Sequence, residues 1–258
     1  MSAPTTPEDV AAATRMLLVD LAGRFMTSPE LAEQEAQLGV PRSGLYFRGR
    51  SAVLGDPPAS VVAAAFGIFP TRLVEIMLER TPVPAATAVG ALAATCWQWG
   101  RNHLAGAPSP HRAAALLYRV VDDADLSGLP LVAGWRSAPR PGPGDDLADL
   151  AHALNLAREL RGGLHFCALR AVGLTAHQAV AVHPEEGRRR LLRLGWRATD
   201  ADALLASVAD RPDLLDRWHH AESLTTAAFA ATLAVLTPDE LAELRTLLAG
   251  VPDAPPAG

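Results

Sequence analysis

The sequence predicts an all-α, multi-helix fold, and three observations carry that prediction. Of its 258 residues 49% are apolar and only 5% aromatic, with alanine and leucine dominant, which suits helices that approach closely through small side chains. Apolar residues recur at three- and four-residue spacing along most of the chain, and no alternating stretch long enough for a strand interrupts them. Proline and glycine fall between the periodic segments, where helices must stop.

Taken in order, Thr6-Pro7-Glu8-Asp9 supplies an N-cap, a proline at the first helical position and acidic residues for the dipole, with Val10, Leu17, Leu18, Leu21 and Phe25 behind it. Ser28-Pro29-Glu30 repeats that signal for a shorter helix ending near Gly39. A third segment carries Tyr46-Phe47-Arg48-Gly49-Arg50, and further helices are expected at 59–66, 70–80, 84–104 and 111–126. The run Ser137 to Gly144 holds three prolines and two glycines and cannot be helical. It reads as a linker, residues 137–144, between a helical N-terminal domain, 1–136, and a second helical domain, 145–251. Helices are expected in the second domain at 145–160, 163–172, 174–182, 185–194, 199–210, 212–234 and 238–249, with the first two divided at Gly162-Gly163. The tail, 252–258, is expected to be disordered.

Composition also excludes chemistry. All 23 basic residues are arginine, so Schiff-base and lysine-nucleophile mechanisms are ruled out. Cys96 and Cys167 lack Cys-x-x-Cys spacing and read as buried thiols in helical context. His219-His220 with Glu222 makes a poor metal site, because adjacent helical positions point about 100° apart. No phosphate loop, dinucleotide fingerprint, serine-hydrolase elbow or zincin motif occurs, so neither metal nor cofactor is expected. With no basic-then-apolar leader and no membrane-length apolar stretch, the expected location is cytoplasmic.

Three segments in order carry a family resemblance: Tyr46 to Gly55 with Ala65 to Pro70, then Leu160 to Leu169, then Leu194-Gly195-Trp196. Together they resemble an actinobacterial helix-turn-helix family of largely unassigned function, common near natural-product gene clusters and distantly similar to MarR-type winged-helix regulators. The resemblance implies a C-terminal half of degenerate winged-helix type, and it makes Leu236 to Leu248 similar to the terminal helix through which MarR-type proteins dimerise. That segment, with Leu241, Leu244, Leu247 and Leu248 at helical spacing, is expected to pack on another subunit or on the first helix, and the expected assembly is a dimer, with a copy or with a paralogue.

Charge disfavours specific DNA binding. From residue 145 onward there are 11 arginines against 16 carboxylates, whereas residues 1–144 carry 12 of each. The segment Thr199 to Asp210, where the resemblance puts a recognition helix, holds Asp200, Asp202 and Asp210 and no arginine, and the wing looks eroded. The basic run Arg188, Arg189, Arg190 and Arg193 is either a phosphate-binding patch or a solvated face balanced by Glu185 and Glu186.

The candidate site is Arg161-Gly162-Gly163-Leu164-His165. On an unbroken helix Arg161 and His165 share a face, which suits a general acid or base beside an anion-holding guanidinium; a core histidine bonded to a carbonyl is the competing reading. Arg48 and Arg50, beside Tyr46, are a second candidate anion site, or else a plain helix end. Trp135, next to the proline-rich run, is a candidate pocket wall, whereas Trp97 and Trp99 with Arg101 and His103 either line a pocket or belong to the core. The function that follows is binding of a small anionic molecule in specialised metabolism, with cofactor-free proton transfer or ring closure with loss of an anionic leaving group as its catalytic form. The alternative is a ligand-responsive winged-helix transcriptional regulator.

Overall fold

The structure, a computed structural model, describes residues 4–183 and 187–252, and among them all regular structure is helical. In chain order the α-helices are α1 (Pro7–Asp20), α2 (Pro29–Gln37), α3 (Gly44–Ser51), α4 (Ala59–Phe66), α5 (Thr71–Glu79), α6 (Ala85–His103), α7 (Pro110–Asp123) and α8 (Pro130–Arg136). There follow α9 (Asp146–Ala171), α10 (Ala176–Ala181), α11 (Gly187–Arg193), α12 (Ala198–Val208), α13 (Asp213–Leu233) and α14 (Pro238–Ala249). The expected starts hold for local reasons. Thr6 accepts from the Asp9 amide at 3.2 Å while the Asp9 carboxylate accepts from the Thr6 amide at 3.0 Å, and Ser28 accepts from the Leu31 amide at 3.3 Å.

The long α9 is the axis of the molecule, packed by α1, α6, α7, α8 and α13. Its Leu150, Leu154, Leu156 and Leu160 are fully buried, each worth about 1.5–3 kcal/mol of hydrophobic stabilisation. One core runs from Val10 to Val251 and draws on both sides of the proline-rich run; a smaller one joins the end of α9 to α10, α11, α12 and α13. Arg140, inside that run, lies over the Tyr118 ring at 4.0 Å and pairs with Asp122.

Several expectations change. The expected break at Gly162-Gly163 is absent and α9 is a single helix of 26 residues. Packing explains this: a Cβ on Gly163 would stand 2.8 Å from Leu129, so the glycine lets the chain before α8 approach, and neighbours on several sides outweigh a helix cost of about 1 kcal/mol per glycine. Helix α8 has no counterpart in the sequence reading, because seven residues are too few to show periodicity. Cys96 is buried, with its thiol pushed well up by burial, but Cys167 is exposed on the outer face of α9. The four leucines of α14 are buried against α1 and α7 of the same chain, and Arg112–Glu243 at 2.7 Å and Arg119–Glu240 secure the α7 contact. Of the two partners the sequence offered α14, this is the first helix. The tail beyond Pro252 lies outside the described residues.

Small residues set the closest approach. A Cβ on Gly100 of α6 would sit 2.5 Å from the Leu147 carbonyl oxygen and 2.6 Å from the Ala151 Cβ. Because the nearer obstacle is backbone, Gly100→Ala is expected to destabilise the protein by about 1–3 kcal/mol through overpacking, against the gain in helix propensity. Urea denaturation checks this; an unchanged midpoint would mean that α6 and α9 can separate freely.

Candidate functional site

Where the two cores meet, the middle of α9 floors a cavity of about 210 Å³. Phe66 of α4, Phe166 of α9 and Trp218 of α13 give it an apolar wall. Its charge is lopsided. Five arginines (15, 50, 158, 161, 190) face it with two glutamates (159, 222) and two histidines (165, 183), in a chain whose net charge is −5.

One side of the cavity centres on Glu159, which Arg50 engages through both oxygens and Arg158 through one, at 3.1 Å. Arg50 donates to both Glu159 oxygens at 2.8 and 2.9 Å and to the Tyr46 hydroxyl at 3.2 Å, and its guanidinium lies 4.3 Å from the centre of the Phe66 ring. Burial alone would lower the Arg50 pKa, yet Glu159 overrides it and the group is held charged; Glu159, which burial would raise, is pulled down by Arg50.

The other side also sets two arginines on one carboxylate, at longer range. Arg15 of α1 and Arg161 of α9 share one carboxylate, Glu222 of α13, at 3.0 and 3.4 Å. Arg161 is only 6% exposed, and its hydrogen bond to Glu222, through Nη2, is long at 3.4 Å. The Nε of Arg15 is buried and unpartnered. Burial, foremost, pulls the Arg161 pKa down, and Arg15 adds to this while Glu222 opposes it. His165, one helical turn beyond Arg161, has Nδ1 3.0 Å from the Thr225 hydroxyl and 3.6 Å from Glu222. Burial likewise lowers its pKa, with Glu222 opposing and Arg161, Arg190 and Arg15 reinforcing, so the ring is neutral near pH 7.

Of the residues expected from the sequence, Arg161, His165, Tyr46 and Arg50 are thus brought to one cavity, although Arg50 is already neutralised there. It is not the largest hollow: one of about 590 Å³ lies between α1 and α14 but holds no comparable charged cluster. Arg48 points elsewhere, donating to the Val83 carbonyl at 2.8 Å and pairing with Asp56. Trp135 does not reach the cavity; it is 2% exposed and its indole donates to the Arg50 carbonyl at 3.1 Å, fastening α8 to α3. Trp99 belongs to the core, and Trp97 donates to His152 at 3.0 Å. Arg15 and Thr225 escape sequence reasoning because nothing local distinguishes them, and Glu222 stands out only as a neighbour of His219-His220. Among the described residues no cluster of three His, Cys, Asp or Glu side chains could hold a metal.

Helices α10, α11 and α12 form a compact unit around the second core. Its basic run is largely committed. Arg190 faces the cavity and Arg188 donates to Asp202 at 2.6 and 3.2 Å, whereas Glu185 and Glu186 lie outside the described residues. Asp200 and Asp202 on α12 face solvent, and residues 209–212 alone separate α12 from α13, too few for a hairpin wing. Among the described residues no helix is long and apolar enough to cross a membrane.

A family model described as a helix-turn-helix family matches residues 11–255. No curated protein and no solved structure matches the chain.

Proposed function

The chain belongs to that helix-turn-helix family, and from this premise we propose that it binds a small anionic molecule in the cavity beneath the α10–α12 unit rather than a DNA operator. The observation that carries the reading is Arg161: a guanidinium almost wholly buried beside the cavity, held by its glutamate only at 3.4 Å and sharing that glutamate with Arg15, whose Nε is buried and unpartnered, is a site short of counter-charge. The apolar wall suits a ligand whose body is aromatic or aliphatic and whose head is a carboxylate or phosphate. That the ligand belongs to specialised metabolism rests on the sequence resemblance alone.

The test is calorimetric titration with salicylate, phenylpyruvate and inorganic phosphate, on the parent chain and two variants. Arg161→Met is expected to weaken binding at least tenfold, since a hydrogen bond to a charged group is worth about 1.5–3 kcal/mol, while leaving the melting temperature unchanged or higher because a poorly paired buried charge is gone. Gly162→Phe is expected to fold and to block binding, because a Cβ on Gly162 meets nothing within 4 Å and the larger side chain would fill the cavity. A large melting drop in Arg161→Met with unchanged affinity would make the arginine structural and end this reading.

The regulator reading keeps one observation, family membership itself. Acidic α12 and the short α12–α13 connection set the expected duplex affinity at the nonspecific level, about 10⁻⁴–10⁻⁶ M at physiological salt. Nanomolar, sequence-selective binding lost on Arg189→Glu would favour the regulator.

A further inference from the structure

The hydrogen-bonding around His165 fixes which of its nitrogens carries the proton. Thr225 Oγ1 lies 2.7 Å from the Ala221 carbonyl oxygen, and two oxygens that close require a hydrogen between them, which only the Thr225 hydroxyl possesses. The same Oγ1 lies 3.0 Å from His165 Nδ1, so Nδ1 must be the donor there, and Glu222, 3.6 Å from Nδ1, favours a proton on that side. In a neutral ring this leaves the lone pair on Nε2, for which no partner exists among the described residues, on a side chain that lines the cavity.

Resting on the anion-binding reading, the geometry assigns His165 as a general base acting through Nε2 on an enolisable carboxylate, a 2-oxo acid with an apolar or aromatic side chain. Arg161 and Arg15 hold the carboxylate, and Phe66, Phe166 and Trp218 receive the side chain. Nε2 takes a proton from the carbon next to the carbonyl. The C–H electron pair becomes the C=C bond of an enolate, the carbonyl π pair moves onto oxygen within reach of the guanidiniums, and the imidazolium is balanced by Glu222. Return of the proton to another face or atom completes an isomerisation that needs no co-reactant. Thr225 and Glu222 are positioning residues, holding the tautomer and balancing the charge that forms. Burial keeps the imidazole neutral and therefore able to accept.

Two measurements test this. Long-range ¹⁵N–¹H correlation spectra of the parent chain at pH 7 are expected to show His165 in the Nδ1–H tautomer, and Thr225→Val, which removes the acceptor, is expected to shift it toward Nε2–H. In D₂O the parent chain is expected to speed deuterium uptake at the methylene of phenylpyruvate over buffer, His165→Gln to lose about 10²-fold or more of that rate, and Glu222→Gln to lose part of it with binding retained. An Nε2–H or cationic His165 in the parent chain overturns the assignment, as does exchange no faster than buffer with phenylpyruvate and pyruvate. Arg161-dependent binding without exchange would defeat the base alone, whereas no binding of any anionic probe would defeat the anion-site reading beneath it.

Discussion

Replacing Glu159 with glutamine is expected to destabilise the protein by about 3–5 kcal/mol, the cost of leaving a buried charge without its partner. The pair closes the cavity on its α3 side. Both Glu159 oxygens are engaged by Arg50, at 2.8 and 2.9 Å, and both residues are nearly inaccessible. With glutamine in its place, Arg50 would keep one amide oxygen, the Tyr46 hydroxyl at 3.2 Å and the Phe66 ring face, but no negative charge beside it. For a chain of this length the loss corresponds to a melting drop of roughly 10 °C at about 2–4 °C per kcal/mol. Arg50→Met combined with Glu159→Leu is expected to recover most of it, since a well-packed apolar pair often matches a buried ion pair. Scanning calorimetry of the single and double variants decides the matter; a Glu159→Gln melt within a degree of the parent would show that water reaches Arg50.

Acidification is expected to weaken the fold through His152. This side chain of α9 is fully buried, accepts from the Trp97 indole through Nδ1 at 3.0 Å and therefore carries its proton on Nε2, which has no partner. Burial, with a smaller contribution from Arg140, lowers its pKa from 6.5 to about 4. A depressed histidine stabilises the fold in its neutral form, so the contribution is complete above the unfolded value of 6.5. It declines as pH falls through the window from 6.5 to 4, where the unfolded chain takes up the proton first, and it changes no further below. The difference amounts to roughly 3 kcal/mol. Urea denaturation at pH 7.5, 5.5 and 4 should show a steeper loss for the parent than for His152→Gln; parallel slopes would mean that His152 titrates normally.

Much of the fold was legible because it rests on local energetics. Thr6, Ser28 and Thr237 each precede proline and an acidic residue, and each caps a helix at the expected point. The four-residue spacing of Arg161 and His165 puts them on one face of any unbroken helix, and they do share the cavity. Misreadings arose where burial overrode local preference: Gly162-Gly163 weakens an isolated helix but sits in α9, gripped by its neighbours, and Cys167 lies in an apolar sequence yet on the outer face.

The sequence by itself determined the all-helical class, the capped helix starts at Thr6, Ser28 and Thr237, the absence of lysine chemistry and the shared helix face of Arg161 and His165, all of which depend on residue type or on spacing within a few turns. Only the tertiary structure decided which charges remain open. Arg50 and Glu159 lie 109 residues apart, and His165 and Thr225 lie 60 apart. Arg48 and Arg50, alike in sequence, diverge to Asp56 and Glu159 because their positions on α3 face opposite ways. A charge is neutral or demanding according to what stands within about 4 Å of it, and in a helical protein those neighbours come from other helices, at separations that no local pattern encodes.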